Sequence, residues 1–166
     1  MGELNYFIGL QIKKLKHGTF LCQPKYCKEL LKKFEMERCK EVATLISTNY
    51  YLDVDKKGLS MDQTKYKRLI GSLLYLTAIK PDIKFNVCLC ARYQSNPKES
   101  HYSVAKRIMK YLKRTIDVGL WYPSEVSLNL VGYSDFDFVR CKLDRKSTSG
   151  TYHLLGSILI LWNNKM

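Results

Sequence analysis

The sequence predicts an α+β protein: an N-terminal β-hairpin, a helical bundle, then an antiparallel sheet. Apolar residues alternate at the start of the chain, recur at helical spacing from Pro24 to about 115, and alternate again after Asp117. The hydrophobic period therefore changes twice, and the second change, near 116–127, separates a helical part from a β part. With 166 residues, 46% of them hydrophobic and 26% charged, the chain has globular composition and enough length for a buried core.

The hairpin is read from Tyr6, Ile8, Leu10 and Ile12, which alternate, and from His17-Gly18, a turn before Thr19-Phe20-Leu21-Cys22. Gly9, inside the first of these strands, marks a bulge or a close backbone approach. Pro24 fills a first helical position and opens PKYCKELLKKF, whose apolar stripe is Tyr26, Cys27, Leu30, Leu31 and Phe34. The stretch from Lys40 to Ser60 keeps no period and reads as a long loop. Ser60-Met61-Asp62-Gln63 matches a capping box, with Tyr66, Leu69, Ile70, Leu73, Leu74 and Thr77 turned inward after it. Pro81 ends one helix and starts the next, which carries Ile83, Val87, Cys90 and Ala91. In the fourth helix Asn96 caps, Pro97 takes the first position and Glu99 completes a box. Its buried stripe is Val104, Ile108, Tyr111 and Leu112. Strands follow at 118–122, 128–134, 148–155 and 158–162.

Six cysteines form no Cys-x-x-Cys pair and stand apart from the three histidines, so they read as reduced intracellular thiols rather than zinc ligands. The longest apolar run, LLGSILILW, is too short to span a bilayer, and the opening GELNYFIGL does not have the form of a secretory leader. An intracellular protein, cytoplasmic or nuclear and not membrane-bound, is expected. The net charge of +13 favours a polyanionic partner, nucleic acid before a membrane surface.

Two kinds of feature are candidates for function: basic stripes, and a pair of aspartates. Lys25, Lys28 and Lys32 lie one helical turn apart, and Lys106, Lys110, Lys113 and Arg114 make a second stripe with Arg107 at its flank. Such stripes are most often solvated faces, and otherwise contacts to phosphates. Lysine brings charge without the bidentate geometry of arginine, which argues against base readout. Tyr102 and Tyr111 are aromatic neighbours of the second stripe, although Tyr111 also fits the apolar one. His17, His101 and His153 share no motif and are read as turn, surface and strand residues. The run VGYSDFDF is either half of a metal site or a turn closing a hairpin, and Asp135 is its candidate ligand.

Six strings occur in one order: YFIGLQI, KYCKELLKKFEMERCK, LIGSLLYLTAIKPDI, HYSVAKRIMKYLKRT, VGYSDFDF and DRKSTSGTYHLLG. Together they resemble the Pol polyprotein of copia-type retrotransposons, downstream of the polymerase palm, over essentially the whole chain. The resemblance implies that residues 1–23 are a primer-grip-like hairpin and that residues 24–116 are the helical thumb and connection of a reverse transcriptase. Residues 117–166 would then be the opening β-meander of a ribonuclease H domain. In that fold an aspartate on the first strand binds catalytic magnesium, and Asp135 holds the corresponding position.

Hybrid cleavage needs paired divalent ions clamped by several carboxylates. Beyond Asp137 the one remaining carboxylate side chain is Asp144, whereas the family's glutamate lies on a helix after the third strand. The family's Asp-Ala-Asp-aromatic-Ala-Gly pattern becomes Asp135-Phe136-Asp137-Phe138-Val139-Arg140, so Asp135 is expected to be a relic ligand in a present-day turn, with no complete metal site. The palm's Tyr-x-Asp-Asp turn is absent, since YLDVD has the wrong spacing. The expectation is a truncated Pol fragment that is not an enzyme by itself and uses no cofactor alone, magnesium being implied for the intact ribonuclease H. It would bind RNA–DNA hybrid or duplex weakly and without sequence preference, through Lys25, Lys28, Lys32, Lys106, Lys110, Lys113 and Arg114. The rival expectations are a protein-interaction module that self-associates through uncovered strand residues such as Leu154, Ile158 and Ile160, and a remnant with no function.

Overall fold

In a computed structural model, residues 5–45, 52–127, 129–137 and 148–165 are described. The chain divides into two compact units, Gln23–Val118 and a second one that joins Met1–Cys22 to Gly119–Met166.

The first unit holds four helices: α1 (Pro24–Lys33), α2 (Gln63–Leu76), α3 (Pro81–Ala91) and α4 (Glu99–Arg114). Pro24 and Pro81 each stand in the first turn of their helix, where a missing N–H costs nothing. The core is a continuous cluster with Leu30 and Leu31 of α1, Leu69, Ile70, Leu73 and Leu76 of α2, Ile83 and Val87 of α3, and Ile108, Met109 and Leu112 of α4. Each such side chain contributes roughly 1.5–3 kcal/mol on burial, so these stripes hold the bundle more than helix propensity does. On α2 the inward stripe runs through Leu73 to Leu76, seven residues after Leu69, and Leu74 is turned outward at its flank.

Both predicted capping boxes are displaced. Asp62 caps α2, its carboxylate accepting from Thr64 N at 2.8 Å and Lys65 N at 3.3 Å. A charged acceptor makes the stronger cap, and the two box residues are occupied elsewhere. Ser60 Oγ accepts from Lys98 Nζ, and Gln63 Nε2 donates to the carbonyls of Gln94 and Ser95. The fourth helix begins at Glu99 rather than Pro97 because Lys98 is held extended in an antiparallel bridge opposite Ser60. Met61 N donates to Pro97 O and Glu99 N to Leu59 O, both at 3.0 Å. Lys98 is the cap position, and its N–H donates to His101 Nδ1 at 3.1 Å.

The second unit contains two antiparallel sheets. One has the order β1 (Tyr6–Phe7), β2 (Leu10–Leu15), β3 (Gly18–Cys22), β4 (Leu120–Pro123), and the other β5 (Leu130–Asp137), β6 (Thr148–Leu155), β7 (Ile158–Lys165). The expected strand from Tyr6 to Ile12 is interrupted. Phe7 pairs with Leu10, so Ile8 and Gly9 form a two-residue turn, with φ of 46° and 76°. Hairpin turns with two positive φ values match the strand twist, and Gly9 supplies one of them without strain. β4 pairs with β3, Leu21 opposite Leu120 and Gly18 opposite Pro123, which puts the first hairpin and the strand after α4 in one sheet. β5 continues through the expected turn. Asp135 pairs with Gly150 and Asp137 with Thr148, so the backbone here is strand.

Candidate functional site

The two basic stripes differ in what their side chains touch. On α1, Lys25, Lys28 and Lys32 are all exposed, and among the described residues none of them has a hydrogen-bond or ion-pair partner. Seven residues of helix separate the outer two, about 10 Å along the axis at about 1.5 Å per residue. The buried face of the same helix, Cys27, Leu30 and Leu31, packs into the core and fixes which way the lysines point. Lys33 lies off this row, its ammonium 5.8 Å from the Phe34 ring centroid.

On α4 the cationic groups are largely engaged within the bundle. Lys113 Nζ donates to Cys39 O at 2.9 Å, and Arg107 Nη2 donates to Thr44 Oγ1 at 2.9 Å. Val42 N reaches Lys110 O at 3.5 Å, so the segment from Cys39 to Thr44 is strapped along the basic face. Lys106 Nζ sits 4.6 Å from the Tyr102 ring centroid, with Lys65 Nζ at 5.6 Å from the same ring. Arg114 remains exposed at the end of the helix, while Lys110 is half-buried.

Tyr102 has little surface exposed for stacking, and Tyr111 is half-buried. Tyr111 donates its hydroxyl to Asp82 Oδ2 at 2.7 Å. Burial, then the hydrogen bond and the negative charge of Asp82, push the Tyr111 phenol up to about 12.

His101 is a core residue rather than the expected surface one, at 1% exposure. Its Nδ1 accepts from Lys98 N, so Nε2 carries the proton and donates to Asp53 O at 2.7 Å. The ring stacks on Tyr93 with centroids 4.1 Å apart. Sequence reasoning also missed Lys80, which is buried and donates through Nζ to the carbonyls of Thr115 and Val118. A lysine before proline gives no sequence signal of burial, and only the packing of the α4 C-terminus against it reveals the role.

Cys39, Cys88 and Cys90 are free thiols, and Cys141 lies outside the described residues. Burial pushes the Cys90 thiol up to about 12, which leaves it protonated and inert at neutral pH. Among the described residues no three His, Cys, Asp or Glu side chains gather as a metal site would require. Asp135 is placed by its backbone alone, and Asp144 lies outside the described residues.

Neither a protein-family model nor a solved structure matches the chain. It is 33% identical over 163 residues to the retrovirus-related Pol polyprotein from transposon RE2 of Arabidopsis thaliana, and 34% identical to that from transposon RE1. Each similarity covers 98% of this chain and 11% of the relative, so the chain spans about a tenth of those polyproteins. An uncharacterised mitochondrial protein of the same plant is 32% identical over 165 residues, which cover 99% of this chain and 68% of that protein. Similarity at about a third identity that covers 98% of this chain takes in residues of both units, the helical bundle and the two sheets alike. The chain belongs to the copia-type retrotransposon Pol family.

Proposed function

We propose that this segment is a non-catalytic holding surface for RNA–DNA hybrid or duplex nucleic acid, and that α1 makes the contact. Support comes chiefly from one observation: Lys25, Lys28 and Lys32 stand in an exposed row with no partner of their own among the described residues. Phosphates on one strand advance about 3.4 Å each along a duplex axis, so a row of about 10 Å spans three of them. Contacts of this kind position a duplex without reading its sequence and weaken as salt displaces the lysines. Within this chain the Tyr-x-Asp-Asp turn is missing and Asp135 is the candidate ligand, so catalysis in the polyprotein would fall to other segments. A filter-binding titration of RNA–DNA hybrid at two salt concentrations tests the reading. Tighter binding at the lower salt, equal for unrelated sequences, is the expected result, and absence of binding at the lower salt removes the proposal.

The second sheet supports a different reading, self-association. Leu130, Tyr133, Tyr152, Ile160 and Leu161 are exposed on it, although Ile158, expected to be available, is buried. A sizing series over a range of protein concentrations tests this. A mass that stays monomeric throughout excludes it.

A further inference from the structure

Three side chains from three strands, one of them about a hundred residues from the other two, share one row of the first sheet. Lys13 of β2 is opposite Phe20 of β3, and Phe20 is opposite Trp121 of β4. Directly paired residues project from the same sheet face with neighbouring Cβ atoms about 4.5–5.5 Å apart. Lys13 is exposed, Phe20 half-buried, and Trp121 41% exposed. Exposure at that level leaves much of a large aromatic surface open to water.

The indole is also held. A Cβ built on Gly18 would lie 2.7 Å from Trp121 Cζ2 and closer still to Tyr122 O, so the ring lies directly against the bare backbone of β3. The turn beside it is fastened as well, because Ser124 N donates to His17 O at 2.9 Å. Lys16 and His17, both exposed, sit at that turn next to Leu15. A fixed aromatic face with cationic side chains along one edge is complementary to a nucleotide, which joins a planar base to an anionic phosphate. Bases inside a duplex are already stacked, so the ligand must be unpaired.

We propose that the row Lys13–Phe20–Trp121 is a stacking site for an unpaired base of a single-stranded nucleic acid, with Lys13 and Lys16 meeting the flanking phosphates. The site lies in the other compact unit from α1 and takes a different ligand, so it stands or falls separately from duplex holding. Charge complementarity selects this occupant: the chain carries +13, and a polyanion with planar bases satisfies both the lysines and the indole.

The test uses intrinsic fluorescence, because the chain has two tryptophans. In a Trp162→Phe variant only Trp121 emits. Octauridylate is expected to quench that emission, while an abasic oligonucleotide of the same length leaves it nearly unchanged. In the reciprocal Trp121→Phe variant, Trp162 emission should not respond, and a labelled octauridylate should still bind because an aromatic face remains. Trp121→Ala should weaken that binding about tenfold, within the range that base–aromatic stacking spans. Replacing Lys25, Lys28 and Lys32 with Gln should leave the quenching intact. Equal quenching by the abasic strand would overturn the proposal, as would loss of quenching in the Gln variant. So would a response of Trp121 to anionic phosphatidylserine vesicles but not to octauridylate.

Discussion

Lys113 donates its ammonium to the carbonyl oxygen of Cys39 at 2.9 Å, and in doing so pins the segment after α1 to α4. The same segment is reached by Arg107 through Thr44 Oγ1 and by the Lys110 carbonyl through Val42 N. Two basic stripes of similar sequence character thus have different occupations. α4 spends much of its charge inside the bundle, whereas α1 keeps its charge on the surface.

Lys113→Met should therefore act on stability rather than on nucleic-acid affinity. Loss of a charged donor to a half-buried carbonyl is expected to cost about 1–2 kcal/mol. Urea denaturation measures that loss, and hybrid affinity measured alongside should stay close to that of the parent protein. An unchanged denaturation midpoint with a large loss of affinity would return Lys113 to the binding surface.

Buried phenols and a buried thiol make the bundle sensitive to alkali. Burial raises Tyr66 well above the ordinary value of 10.0, and its hydroxyl donates to Cys90 O at 2.8 Å. Tyr111 and Cys90 are each pushed up to about 12, the latter from 9.0. The folded state holds these protons where the unfolded chain releases them, so stability is whole below pH 9 and falls as pH rises from 9 through 12. Urea midpoints at pH 8, 10 and 11 should decline in that order, and Tyr111→Phe should make the decline shallower. A midpoint that held steady or rose across the series would contradict this.

Much of the architecture was legible because it rests on periods and on proline. Pro24 and Pro81 mark the true starts of α1 and α3, and the stripes through Leu69 and Leu73 or through Ile108 and Leu112 are core. Helix starts that depend on partners distant in sequence were not legible. The Asn96-Pro97-x-Glu99 pattern is locally a good cap, but backbone bonds from Met61 to Pro97 and from Glu99 to Leu59 hold Lys98 extended, so the helix starts only at Glu99. In the same way VGYSDFDF looks like a turn until β6 is seen pairing with it as far as Asp137. The α1 and α4 stripes could not be ranked from sequence, since the strap from Cys39 to Thr44 lies in a stretch without periodicity. The row from Lys13 to Trp121 depends on the β3–β4 register, which no local pattern encodes.

His101 ties the start of α4 to the loop at Asp53 by using both ring nitrogens. His101→Ala removes the acceptor for the Lys98 N–H and leaves a void where a buried ring stood. The expected cost is about 2 kcal/mol or more, combining a lost cap with unsatisfied buried groups. Hydrogen exchange at the Lys98 amide should accelerate by at least the factor that the stability loss implies. Unchanged protection there would show that the ring does not cap the helix.

Salt-dependent binding of RNA–DNA hybrid by two charge-removed variants tests the central claim most directly. One variant carries Gln at Lys25, Lys28 and Lys32, the other Gln at Lys106, Lys110 and Lys113. The parent protein should lose affinity linearly in log salt, and the α1 variant should lose about 2.7 of that slope, roughly 0.9 for each of three phosphates. The α4 variant should keep most of it. Parental slope and affinity in the α1 variant, with both lost in the α4 variant, would contradict the account.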